Sequence, residues 1–154
     1  MTVIKPNFRL ADSDKGGSNT YQVKAGTAGS ILAGDIVLQN TSGDVEYVKA
    51  AGTLVVDTDD IIVGIAATTS DETATADGTV QVYDELDAEF IGKALVSGNL
   101  STATLLTVVT IDSAATGVQT VKENDVTKGI ALVNSYTSDG EVKFTFKRSV
   151  VLGA

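Results

Sequence analysis

The feature that most limits what this chain can fold into is a period of two in its apolar residues. In Val142-Lys143-Phe144-Thr145-Phe146-Lys147, apolar and polar side chains alternate without a break. Successive side chains of an extended strand point to opposite faces, so this pattern gives one apolar and one polar face. Thr79-Val80-Gln81-Val82-Tyr83 repeats it. Valine and threonine are the commonest residues of the chain, and β-branched side chains suit a pleated, half-buried surface. Further short apolar runs lie at Asp35 to Leu38, Val45 to Lys49, Ile61 to Ala67 and Leu105 to Ile111. Turn-forming Thr41-Ser42-Gly43-Asp44, Ala76-Asp77-Gly78 and Ser138-Asp139-Gly140 punctuate the runs. Spacing of this kind predicts an all-β domain of about ten short strands, closed as a barrel or packed as a sandwich. Only Asp84 to Glu89 and Leu95 to Ala103 leave room for a short helix.

An internal echo divides the domain. Val45-Glu46-Tyr47-Val48-Lys49 is answered by Val118-Gln119-Thr120-Val121-Lys122, and Asp60 to Ala66 by Asp125 to Ala131. Gly78 to Val82 is then answered by Gly140 to Phe144. The order is the same in both halves, which predicts two related β units over about 30–85 and 100–148. Gly64 and Gly129 fall inside the echoed segments, and a glycine within a strand marks a bulge or a close backbone approach.

Composition excludes more than it identifies. With no cysteine and no histidine, disulfides, thiol nucleophiles, the usual general base and the commonest metal ligands are all missing. A net charge of −9 argues against a nucleic-acid binder, because phosphate neutralisation requires a dense basic surface. The opening residues lack the apolar stretch of a secretory signal, and no apolar run approaches the roughly 20 residues of a membrane span. The expectation is a protein made in a cytoplasm, without membrane or nucleic-acid partners.

Clustered acids are the remaining candidates for site chemistry. Asp57-Thr58-Asp59-Asp60 offers hard oxygen ligands for Ca²⁺ but lacks the spacing of an EF-hand loop, so an acidic turn is the expectation. The run from Asp84 to Glu89 could supply a carboxylate pair, yet only Tyr83 and Phe90 flank it as stacking rings. No nucleophile elbow or phosphate loop is present, so no catalytic residue, no cofactor site and no metal site is assigned.

The charge is not evenly spread. Residues 1–24 carry four bases against two acids, residues 143–154 three bases and no acid, and the body between them a large acidic excess. Residues 1–19 read as an extended N-terminal arm ahead of a 20–154 domain, with Asp14 to Asn19 as a flexible joint. Ile4, Lys5, Pro6, Phe8, Arg9 and Leu10 make that arm basic and sticky, fit for docking on a neighbour or a shell. The same residues could instead form the first edge strand of their own domain.

Four segments, Ala33-Gly34-Asp35-Ile36-Val37, Gly43 to Ala50, Asp60 to Ala66 and Gly78 to Tyr83, together resemble the decoration, or cement, proteins of tailed-bacteriophage heads. The resemblance covers roughly residues 33–92 and rests on framework positions. It implies a β-barrel, or β-tulip-like, virion protein on the outer surface of the capsid. The implied partners are the major capsid protein and copies of the chain itself, as a homotrimer at three-fold and quasi-three-fold positions. Two other classes stay open: another phage β-barrel part, such as a tail-tube or head-fibre base protein, and a bacterial surface or adhesion module.

Overall fold

The computed structural model describes residues 7–11, 16–26, 31–39, 45–47, 52–53, 61–85, 87–113, 118–126 and 129–146. These residues form strands β1 (Arg9–Leu10), β2 (Ser18–Val23), β3 (Ile36–Gln39), β4 (Val45–Tyr47), β5 (Gly52–Thr53) and β6 (Ile61–Ala66). The chain continues through β7 (Gly78–Tyr83), β8 (Glu89–Lys93), β9 (Val108–Ser113), β10 (Gln119–Lys122), β11 (Ala131–Tyr136) and β12 (Glu141–Phe146). The protein is all-β. Two 3-10 turns, Ser97–Asn99 and Thr102–Thr104, stand where the sequence allowed a helix over Leu95 to Ala103. In the other helix candidate, Asp84 to Glu89, none of the described residues is helical, and β8 begins at Glu89.

The strands form two antiparallel sheets. One is seven-stranded, in the order β1-β8-β12-β11-β9-β10 with β5 also on β9; the other is five-stranded, in the order β2-β7-β6-β3-β4. Neither closes, which corrects the barrel expected from the sequence. The larger sheet shows why. Closure would need the outer edge of β8 to pair along β10. That edge is instead taken by β1, with Arg9 opposite Ile91 and Leu10 opposite Phe90. Beyond β8, among the described residues, a single isolated parallel bridge, Ala94 to Val121, and the Leu95 N–H to Val121 carbonyl bond are the backbone links to β10.

The two sheets share one connectivity. Taking β2, β3, β4, β6 and β7 as one set and β8 to β12 as the other, each runs in space as first, fifth, fourth, second, third. The sequence echo places β4 on β10 and β7 on β12. It places β6 on the connection leading into β11, a few residues before the strand that is its topological counterpart. The sets also begin earlier than the echo indicated, at Ser18 and Glu89.

Most of the core lies between the sheets. Ile36, Leu38, Ile62 and Ile65 from the smaller sheet pack with Phe90, Val109, Ile111, Val121, Val133, Val142 and Phe144 from the larger. A second cluster, including Val37, Val63, Ala66, Val80 and Val82, covers the other face of the smaller sheet. Strands β3 and β6 are therefore buried on both faces, which explains their continuous apolar runs. Strand β6 serves both cores because its register shifts: Val37 pairs with Gly64 and Leu38 with Ile62. The extra residue puts Ile62 and Ile65 on one face and Val63 and Ala66 on the other. Only glycine fits there, since a Cβ on Gly64 would lie 1.9 Å from the Tyr83 carbonyl oxygen. Gly129 does not bend a strand; it precedes β11, against the side chain of Val108.

Within the N-terminal segment, Arg9 and Leu10 form an edge strand of the larger sheet. Phe8 is 1% exposed and its ring meets Phe144 edge-on with centroids 5.4 Å apart. All four phenylalanines of the chain join this cluster, through Phe90 and Phe146. The ring fits because residue 92 is glycine: a Cβ there would lie 2.3 Å from Phe8 Cδ1. Phe8 N–H donates to the Gly34 carbonyl, Ala11 N–H to the Glu89 carbonyl, and Arg9 pairs with Glu141 at 3.0 Å on the surface. Phe8 and Leu10 are thus packed into the protein's own fold and not held out for a neighbour, because burying a ring of this size far outweighs displaying it in water. Ile4, Lys5 and Pro6 lie outside the described residues.

Candidate interaction surface

Two of the acidic residues singled out in the sequence, Asp84 and Glu89, act as structural ties. Asp84 accepts from Asn19 Nδ2 and from the Tyr21 hydroxyl, fastening β2 to the end of β7. Burial, then the hydrogen bond to Asp84 and its charge, push the Tyr21 hydroxyl up to about 12. Glu89 accepts from Asn134 Nδ2 at 2.9 Å. Asp77 accepts from Ala25 N–H at 2.8 Å, and chiefly for that reason its carboxyl lies below the usual carboxylate range. Asp57 to Asp60 lie outside the described residues. Among the described residues, no group of three or more acids is placed to hold a metal ion.

The segments behind the family resemblance are framework as well. Asp35 is buried at the mouth of β3, where its carboxylate accepts from Leu32 N–H and from Asn7 Nδ2, both at 3.0 Å. Burial raises its pKa, and those two hydrogen bonds oppose the rise without cancelling it. Gly34, next to it, donates its N–H to the Ala66 carbonyl and accepts from Phe8. This turn ties β3, β6 and the N-terminal segment together.

What the structure displays outward is the crossover from Ala94 to Thr107, which carries the chain from β8 to β9 over one end of the larger sheet. Leu95, Val96, Leu105 and Leu106 are exposed on it, and Val126 is exposed in the loop after β10, whose Asp125 carbonyl accepts from Thr110 of β9. Isolated surface leucines need no explanation, but here two adjacent exposed pairs, Leu95-Val96 and Leu105-Leu106, stand on one crossover, and exposed apolar surface of that kind suits a contact. No residue between Lys93 and Asp112 is charged, the longest such interval in a chain that is otherwise strongly acidic.

Hydrogen bonds hold the crossover at both ends and in its middle. At its start, the buried carboxylate of Glu123 accepts from Leu95 N–H, Val96 N–H and Asn99 Nδ2, at 3.1, 3.0 and 3.3 Å. Ala94 N–H also reaches the Gly140 carbonyl. In the middle, Thr104 N–H donates to the Ser101 carbonyl while Ser101 N–H donates to Thr104 Oγ1. At its end, Leu106 N–H donates to the Val133 carbonyl and the Thr107 hydroxyl to the Ala103 carbonyl. Leu106 has a φ of +58°, a left-handed conformation that favours glycine or asparagine, and its side chain is 77% exposed. Leucine there gains no burial to offset its backbone strain. A residue strained and displayed in this way points to a use outside the folded chain.

No protein-family model, no curated protein and no solved structure matches this chain. The crossover escaped sequence reading because Leu105 to Ile111 looks like one core strand, whereas the strand begins at Val108. The long uncharged interval was the signal that could have identified it.

Proposed function

We propose that this protein is a virion structural component, a capsid decoration protein that binds the exterior of an expanded tailed-phage head and bridges neighbouring capsomers. The observation that carries this reading is the uncharged crossover, presented by an acidic body in which Asp35, Asp84, Glu89 and Glu123 serve the fold itself. Such a surface suits work done by contact. The framework resemblance over residues 33–92 supplies the class of assembly, and its segments fall on the turn at Gly34 and on β3, β4, β6 and β7. A protein that binds only the expanded lattice stabilises it by mass action, by about 2.7 kcal/mol per site at a hundredfold excess over its Kd. Many copies on one lattice add avidity. The basic residues near the two ends, Lys5, Lys147 and Arg148, would meet acidic patches on the shell.

Co-sedimentation tests the proposal. Purified protein mixed with undecorated expanded heads should pellet with them at saturating stoichiometry and raise the temperature at which they rupture. Protein left wholly in the supernatant would refute it.

A further inference from the structure

We propose that the pocket at one end of the core is a seat for the basic segment of this chain that follows β12, residues 147–154, with the side chain of Arg148 as its occupant. Arg148 lies outside the described residues; the seat lies within them. The contact belongs to the free chain and does not depend on binding to a shell.

Buried Val63, Ala88, Phe90 and Phe146 line the pocket where β6 meets β8 and β12, and exposed Glu85 and Asp87 stand at its rim. Its empty space of about 250 Å³, open mouth included, falls below the roughly 300–1,000 Å³ of small-molecule sites and suits a single side chain. Two carboxylates above an apolar floor select a cation on a long apolar stem, which is the shape of arginine or lysine. Among the described bases, Arg9, Lys24 and Lys122 are paired elsewhere, and Lys93 and Lys143 stand on the face of the larger sheet turned away from the core. The chain itself leaves the pocket as Phe146-Lys147-Arg148. In β12, Val142, Phe144 and Phe146 are buried and Lys143 is exposed, so the next position of the inner face is 148 and that of the outer face is 147. Phe144 lies opposite Phe90 and Thr145 opposite Glu89, a register that brings positions 147 and 148 alongside the turn at Asp87. Arg148 thus has both the face and the level that the seat requires, and a guanidinium engages carboxylates through two parallel bonds where an ammonium acts as a point charge. Seated there, it clamps the connection from β7 to β8, the passage of the chain from the smaller sheet to the larger. It also withholds one base from any outside acidic surface until the segment is released.

The test is a double-mutant cycle on the full chain, read by urea unfolding at low and at high salt. Arg148→Gln, which keeps the stem and removes the charge, should shift the unfolding equilibrium about two- to fivefold toward the unfolded state, the range of an ion pair at a protein surface. High salt should shrink that shift. In a Glu85→Gln/Asp87→Asn background the same substitution should have no effect, because its partners are already gone. Lys147→Gln, one position away on the outer face, should behave alike in both backgrounds. In the folded chain, Arg148→Gln should speed hydrogen exchange at the Ala88 amide, which donates to the Glu85 carbonyl inside the clamped connection, and Lys147→Gln should not. Equal effects of Arg148→Gln and Lys147→Gln, unchanged by the Glu85→Gln/Asp87→Asn background, report only the overall charge of the body and overturn the proposal. A wild type whose Ala88 and Phe90 amide signals respond to N-acetyl-arginine amide as strongly as those of Arg148→Gln shows a seat left open for an outside base, and overturns it too. None of these readouts involves phage heads, so the shell reading can fail without it.

Discussion

Removing the Phe8 ring separates a strand of the fold from an arm. Phe8 is 1% exposed, sits edge-on to Phe144 and fills the space over Gly92. Truncating a buried phenylalanine to alanine costs about 3–5 kcal/mol. At about 2–4 °C per kcal/mol for a chain of this size, Phe8→Ala should lower the thermal midpoint by roughly 6–20 °C. Gly92→Ala places a methyl 2.3 Å from Phe8 Cδ1 and 2.4 Å from Cε1, so it should also destabilise, by the about 1–3 kcal/mol of overpacking. The two changes must not add. Once the ring is gone the methyl has space, and the double variant should recover about 0.5–3 kcal/mol relative to the sum. Urea unfolding of the wild type, both single variants and the double variant, followed by tyrosine fluorescence and circular dichroism, measures the cycle. A midpoint unchanged by Phe8→Ala, or strict additivity within experimental error, would refute the socket and restore residues 7–10 to a free arm.

Other expected outcomes follow from single contacts. Gly64→Ala drives a methyl into the Tyr83 carbonyl, which backbone cannot yield, so its cost should exceed the about 1–3 kcal/mol of ordinary overpacking and the soluble yield should fall. Asp35 has a folded pKa above its unfolded value, so its favourable contribution is full below the unfolded pKa and is lost as pH rises through the folded one. Asp35→Asn should therefore flatten the part of the stability–pH profile just above the ordinary carboxylate range, measured by denaturant unfolding between pH 3 and pH 7. A wild-type profile no steeper there than the variant's would contradict this. Glu123→Ala strips the acceptor from Val96 N–H while Leu95 N–H keeps the Val121 carbonyl, and should cost about 1–3 kcal/mol and speed hydrogen exchange at the Val96 amide before the sheets.

The sequence was most legible where a strand has one buried face. In β12, Val142, Phe144 and Phe146 are buried and Lys143 is exposed, as the alternation requires, and the turn at Asp139-Gly140 connects it to β11. Strands β3 and β6 kept their existence legible but not their faces, because each is buried on both sides and a one-residue bulge at Gly64 changes which side chain faces which core. The pairings of β1 with β8 and of β2 with β7 join distant parts of the chain. They depend on how the sheets curl, which no local pattern encodes. The same cause hid the open edge: a two-residue strand such as β1 has no periodicity to detect, yet it occupies the edge that closure would need. The crossover was hidden differently, since an apolar run on a surface carries the same letters as one in a core.

The neighbours of β8 have a mechanical consequence. Strands β1 and β12 flank it and both run antiparallel to it, so they point the same way, with Arg9 and Lys143 level with Ile91. Tension that draws residue 7 and residue 146 apart therefore acts along the strands and in opposite directions on the two sides of β8. Under that geometry the hydrogen bonds of both ladders share the force together instead of opening one after another. Pulled at residues 7 and 146, the sheet resists in shear.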